Sequence, residues 1–140
     1  MNLGGDPEAV LEEAKKIASE YPAIEYEEVI IDAGCMRMVK DPSQFDVVLC
    51  ENLYGDIMSD LCAGLVGGLG VTPGANHGLV GSIFEAVHGS APDIAGTGKA
   101  NPIASILSFS MALRYSLDLN KEADNLDNAV QKVLDDGLRT

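Results

Sequence analysis

The stretch FDVVLCENLYGDIMSDLCAGLV, Phe45 to Val66, decides the fold. Its opening, FDVVLC (Phe45 to Cys50), is a short apolar run rich in valine, which predicts a buried and parallel strand. The remainder predicts a helix from about Leu53 to Val66. A strand running into a helix is the building step of an α/β protein. The helix carries an oddity: Asp56 and Asp60 stand four residues apart on one face. Like charges at that spacing cost a helix about 0.2–0.5 kcal/mol. A position in the first turn, where the helix dipole favours an acid, accounts for Asp56 and not for the pair. A bound cation would offset the repulsion.

Toward the N-terminus, Asp6 follows Gly4-Gly5 and can cap a helix with Pro7 at its first position. Val10, Leu11, Ala14, Ile17 and Ala18 recur at helical spacing up to about Ser19, and Pro22 stops the helix. IEYEEVII, Ile24 to Ile31, alternates and then turns apolar, as a strand does. Asp32 stands at its end and caps a short helix, Ala33 to Lys40, before the turn DPSQ. Toward the C-terminus, Gly67 to Gly81 is a glycine-rich loop holding a short strand, and SIFEAVH is a further strand. HGSAPDIAGTGKANP is a long polar loop. Pro102 opens an almost wholly apolar helix, Ile103 to about Tyr115, expected to be buried on most sides. An amphipathic helix from about Lys121 to Leu134 closes the order. The class is α/β, with an incomplete sheet and flanking helices. Residues 1–140 form one piece with no internal repeat or linker, and the few strands point to a part of a larger protein.

Composition narrows the function. A hydrophobic share of 46% over 140 residues suits a globular chain with a core. Nine Lys and Arg stand against 22 Asp and Glu, a formal net charge of −13, so there is no basic patch to meet nucleic acid. Cys35, Cys50 and Cys62 are odd in number and form no CxxC pair, which argues against a disulfide framework or a zinc site and for a reducing compartment. No apolar run is long enough to span a membrane, and no secretory signal is expected.

Asp32, Asp56 and Asp60 are oxygen donors of the kind that hold a hard divalent cation, Mg²⁺ or Mn²⁺. The glycine-rich loops match no standard phosphate cradle. Gly68-Leu69-Gly70-Val71-Thr72-Pro73 lacks the third glycine of the dinucleotide fingerprint. Gly98-Lys99 resembles the tail of a P-loop, but Asp93 occupies the first glycine position and Ala100 follows the lysine. His88 has Gly89 beside it, which permits close approach of backbone to a ligand, although a lone histidine is more often structural. Asp93 can accept hydrogen bonds from a ribose diol.

Two long segments, NLYGDIMSDLCAGLVGGLGVTPGAN and FEAVHGSAPDIAGTGKANP, resemble the isocitrate/isopropylmalate dehydrogenase family, NAD(P)-dependent β-decarboxylating dehydrogenases of 2-hydroxy acids. The resemblance runs from about Tyr21 to Arg139, and CAGLVGGLG and PGAN are most similar to the NAD-dependent isocitrate dehydrogenases. It implies the fold of that family and oxidation of isocitrate to 2-oxoglutarate, a step of the tricarboxylic acid cycle, with isopropylmalate and homoisocitrate as alternative substrates. The metal would fall to Asp56 with Asp60 beside it, and to Asp32 of IDAGCMRMV, delivered to the site of a partner subunit. The cofactor loop would be His88, Gly89, Ser90, Ala91, Pro92, Asp93 and Ile94, continuing to Asn101, which bonds the adenine edge. NADP-using relatives carry a lysine–tyrosine pair where Asp93-Ile94 stand, so the implied cofactor is NAD. A dimer, built by the helices Ala33 to Lys40 and Leu53 to Val66, is implied too, in cytoplasm or mitochondrial matrix.

The resemblance also marks what lies outside these residues. The family's substrate-gripping serine and arginines, its catalytic tyrosine and its catalytic lysine have no counterpart here. Asn2 falls on the asparagine of a lysine-x-asparagine motif, which puts that lysine just before Met1. The expectation is a C-terminal portion carrying metal and cofactor ligands, inactive alone. A truncated or regulatory chain that binds without catalysing is the competing expectation.

Overall fold

The computed structural model describes residues 6–140; the glycine pair Gly4-Gly5 and the alignment of Asn2 lie outside them. The chain divides into two compact units, Met1–Cys62 and Ala63–Thr140.

In the first unit, helix α1 spans Pro7–Ala18. Asp6 caps it by accepting the Glu8 amide at 3.1 Å, and Pro7 fills the first turn, where its missing N–H costs nothing. Lys15 pairs with Glu28 at 3.0 Å. Helix α2 spans Ile31–Lys40 and helix α3 begins at Asn52, running to Leu65 across the division. Gly34, Met38 and Met58 are buried, and the Cys35 thiol lies 3.3 Å from the Met58 sulfur. Arg37 ties the extended segment before α2 to the one after it. Its guanidinium bonds both oxygens of Glu27 and the Gln44 side chain, and it stacks 5.0 Å from the centre of the Phe45 ring.

Both strands expected in this unit are absent. Ile24–Ile31 and Phe45–Cys50 are not hydrogen-bonded into any ladder among the described residues, and helix α2 begins at Ile31. The valine-rich run is not buried: Val47 is 87% exposed, and Val48 and Leu49 are exposed as well. A strand is defined by its partner, and valine content predicts the face a strand would bury, not the neighbour that would cover it.

The second unit is built around helix α4, Ile103–Tyr115, which packs against an antiparallel hairpin and helix α5, Asn120–Asp135. The hairpin joins β1, Pro73–His77, to β2, Ser82–Ala86, with Gly74 opposite Glu85. Gly74 suits this position, since a Cβ would crowd the Glu85 carbonyl oxygen at 3.1 Å. The only sheet among the described residues is therefore antiparallel. Ala104 and Ala123 are fully buried, and the Ser110 hydroxyl of α4 meets the Ala123 carbonyl of α5 at 3.3 Å. Helix α4 does not bury its bulk as expected. Phe109 and Tyr115 are exposed, whereas Ser108 and Ser110 are buried and donate to backbone carbonyls.

Candidate functional site

The aspartates of α3 are placed by the helix itself. Glu51, not an aspartate, closes its N-terminus, accepting the Leu53 and Tyr54 amides at 3.1 and 3.0 Å. Asp56 thus stands in the second turn, beyond the dipole's strongest reach. Asp56 and Asp60 are both exposed, and neither carboxylate accepts a hydrogen bond or forms an ion pair among the described residues. Two free carboxylates on one face fit a hard cation. Asp32 is placed differently from expectation. It lies inside the first turn of α2, not at a strand end, and its Oδ1 accepts the Ala33 amide at 2.6 Å. Among the described residues no three His, Cys, Asp or Glu side chains converge on one point, so the chain does not gather Asp32, Asp56 and Asp60 into a single cluster.

The loop from His88 to Asn101 follows β2 directly and leads into α4. The His88 Nδ1 sits 2.9 Å from the Gly89 carbonyl, an acceptor only, so Nδ1 carries a hydrogen. Ala91 adopts a left-handed backbone, φ 42° and ψ 61°, an unfavourable region for a residue with a side chain. Pro92–Ile94 then form a single 3₁₀ turn, with Asp93 exposed and its carboxylate unpartnered among the described residues. The Thr97 hydroxyl donates to the Ile94 carbonyl at 2.7 Å and steadies that turn. Asn101 is half-buried, and its Oδ1 accepts the Ile103 amide at 3.0 Å, which caps α4. The Ile103 amide therefore fixes the side chain's orientation, and Nδ2 has no partner among the described residues. The Ala91 conformation is not written in the sequence, since a residue before proline ordinarily takes extended backbone.

All three cysteines are free, and burial pushes the Cys50 thiol upward, with Glu51 and Cys35 adding to the shift. No helix among the described residues is long and apolar enough to cross a membrane.

Residues 8–140 match the sequence family described as isocitrate/isopropylmalate dehydrogenase. The chain is 53% identical over 131 residues to a 3-isopropylmalate dehydrogenase of Ruegeria pomeroyi, covering 89% of this chain and 36% of the relative. It is 57% identical over 124 residues to a mitochondrial regulatory subunit of the NAD isocitrate dehydrogenase of Dictyostelium discoideum, covering 88% of this chain and 35% of the relative. The crystal structure of isocitrate dehydrogenase from Methylococcus capsulatus superposes with a TM-score of 0.84 at 51% identity, covering 91% of this chain and 37% of that one. The chain spans about a third of the length of the proteins it matches.

Proposed function

The chain belongs to the isocitrate/isopropylmalate dehydrogenase family, and from that premise we propose that it is the metal- and cofactor-holding portion of an NAD-dependent β-decarboxylating dehydrogenase acting on isocitrate. The observation that carries this reading is the Asp93 carboxylate, exposed and without a partner among the described residues, on a turn set by a left-handed Ala91. Its acceptor oxygens suit the adenosine ribose hydroxyls, and its charge repels a 2′-phosphate. The free Nδ2 of Asn101 donates to the adenine edge, and Gly89 lets the His88 backbone approach the cofactor. Asp56 and Asp60 hold the divalent cation, joined by Asp32 from a second copy of the chain. When bound, NAD would supply the hydride acceptor on the Asp93 and Asn101 side, and the cation at Asp56 and Asp60 would supply Lewis-acid polarisation of the substrate hydroxyl. Three free thiols suit a reducing compartment, cytoplasm or matrix.

Isopropylmalate is the alternative substrate, supported by the Ruegeria relative. The Dictyostelium relative favours a second reading, a regulatory chain that binds cofactor without turnover. One assay separates all three. The full-length protein carrying these residues is given Mn²⁺ and NAD with isocitrate, isopropylmalate or homoisocitrate, and NADH formation is followed with each. Turnover on isocitrate, largely lost in Asp56→Asn, is expected. Turnover on isopropylmalate alone moves the substrate. NADH binding without turnover on any acid establishes the regulatory reading, and undiminished rates in Asp56→Asn overturn the metal assignment.

A further inference from the structure

The candidate cofactor loop hangs between two stems, β2 ending at Ala86 and α4 beginning at Ile103. Its turn is held from within, by Ile94 N to the Ala91 carbonyl, Ala95 N to the Pro92 carbonyl, and Thr97 to the Ile94 carbonyl. The first stem joins it through Val87, whose amide reaches the Thr72 carbonyl at 3.4 Å, and the second through Asn101, bonded to Ile103. The spacing between Asp93 and Asn101 is therefore set by how the stems meet. An open cleft of about 370 Å³ lies between Phe84 and Ala86 of the strand and Ser105, Phe109 and Ala112 of the helix. Among the described residues one side-chain hydrogen bond crosses from α4 to β2: the Ser108 hydroxyl donates to the Glu85 carbonyl at 2.8 Å. Ser108 is 3% exposed. Its oxygen also lies 2.8 Å from the Ala104 carbonyl, so the single hydroxyl proton is shared between its own preceding turn and the strand. The reach to Glu85 is the one that joins the stems.

We propose that Ser108 is a positioning residue for dinucleotide binding, fixing β2 to α4 so that the loop between them presents Asp93 and Asn101 at a set spacing to the adenosine. This rests on the reading of that loop as the adenosine site. No contact of Ser108 with cofactor or substrate is involved.

The test uses the full-length protein and four variants: Ser108→Ala, Ser108→Cys, Ser108→Thr and Asp93→Ala. NADH affinity is measured by fluorescence titration, beside the melting temperature and, where there is turnover, KM for NAD and kcat. Losing one hydrogen bond in the loop's support should weaken NADH binding about three- to tenfold in Ser108→Ala. Ser108→Cys, close to serine in size, should behave alike and carries the test if the alanine variant does not fold. Ser108→Thr keeps the hydroxyl and has the cleft for its methyl, so it should bind as the parent does. KM for NAD should rise with kcat at saturating NAD unchanged. A lower melting temperature with parental NADH affinity in Ser108→Ala or Ser108→Cys overturns the proposal, provided Asp93→Ala weakens binding. Parental affinity in Asp93→Ala overturns the adenosine-loop reading, and the proposal with it.

Discussion

Arg37 holds Glu27 with two parallel hydrogen bonds, Nη1 to Oε1 at 2.8 Å and Nη2 to Oε2 at 3.0 Å. The pair joins α2 to an extended segment that has no strand partner among the described residues, so it is a main fixture of that segment. The Arg37 guanidinium holds the Glu27 carboxyl below its ordinary value, chiefly through this hydrogen bond. A carboxylate whose value is lowered by folding contributes stability above its unfolded value, lost as pH falls through the lowered one. Thermal melting of the parent should therefore fall more steeply than that of Glu27→Gln between about pH 5 and pH 3. At neutral pH the variant should melt lower, and at the acid end the two should coincide. Parallel curves at all pH would show that the pair does not contribute.

The second unit should be intolerant of bulk between α4 and α5. Ala104 and Ala123 are fully buried, and the Ser110 hydroxyl reaches the Ala123 carbonyl at 3.3 Å. Ala123→Leu has nowhere to put three more carbons and should cost about 1–3 kcal/mol. Leu113→Ala, which empties part of the same core, should cost about 2–5 kcal/mol. Urea unfolding measures both. A neutral Ala123→Leu would mean that α5 can swing away from α4.

The helices of this chain were legible because their signals are local. Asp6-Pro7 and Pro102 mark starts, and α1, α4 and α5 fall within a residue or so of the expected bounds. The strand Ser82–Ala86 falls within the expected SIFEAVH. Ile24–Ile31 and Phe45–Cys50 were misjudged because a strand needs a neighbour, and apolar content names none. The candidate cofactor loop is a contiguous motif, so its residues could be named from sequence. What it hides is conformational: the left-handed Ala91, and Asn101 spending one end of its amide on the cap of α4. The three aspartates could be named from sequence, but whether ligands from α2 and α3 meet depends on assembly, which no spacing encodes.

Cofactor preference should follow from charge at one position. Asp93 is exposed, with a carboxylate unpartnered among the described residues, so a 2′-phosphate approaching it meets a like charge. The full-length protein should show a higher kcat/KM for NAD than for NADP. Asp93→Lys combined with Ile94→Tyr should move the preference toward NADP by at least about tenfold, the effect of roughly 1.4 kcal/mol. A parent that uses both equally would remove Asp93 from the role assigned to it.

Self-association should pass through α2 and α3. Met36 and Val39 of α2 and Leu53 and Ile57 of α3 are exposed, while Met38 and Met58 are buried, so each helix covers its own unit with one face and offers another. Leu53 and Ile57 stand four residues apart on one ridge. Asp56 and Asp60 each follow one of them by three residues, so the carboxylates flank the apolar ridge. A partner seated on the ridge would exclude water beside the carboxylates and strengthen their hold on a cation. Such a partner is also what would bring a second copy's Asp32 near. Ile57→Glu should therefore do two things in the full-length protein. It should shift sedimentation from dimer to monomer at micromolar concentration, and it should weaken Mn²⁺ binding although no metal ligand is changed. Met36→Glu, on the other helix, should repeat both effects if the two helices serve one interface. A parent that sediments as a monomer, or an Ile57→Glu variant that stays dimeric with unchanged Mn²⁺ affinity, would place the interface elsewhere and leave Asp56 and Asp60 to hold the cation without a partner.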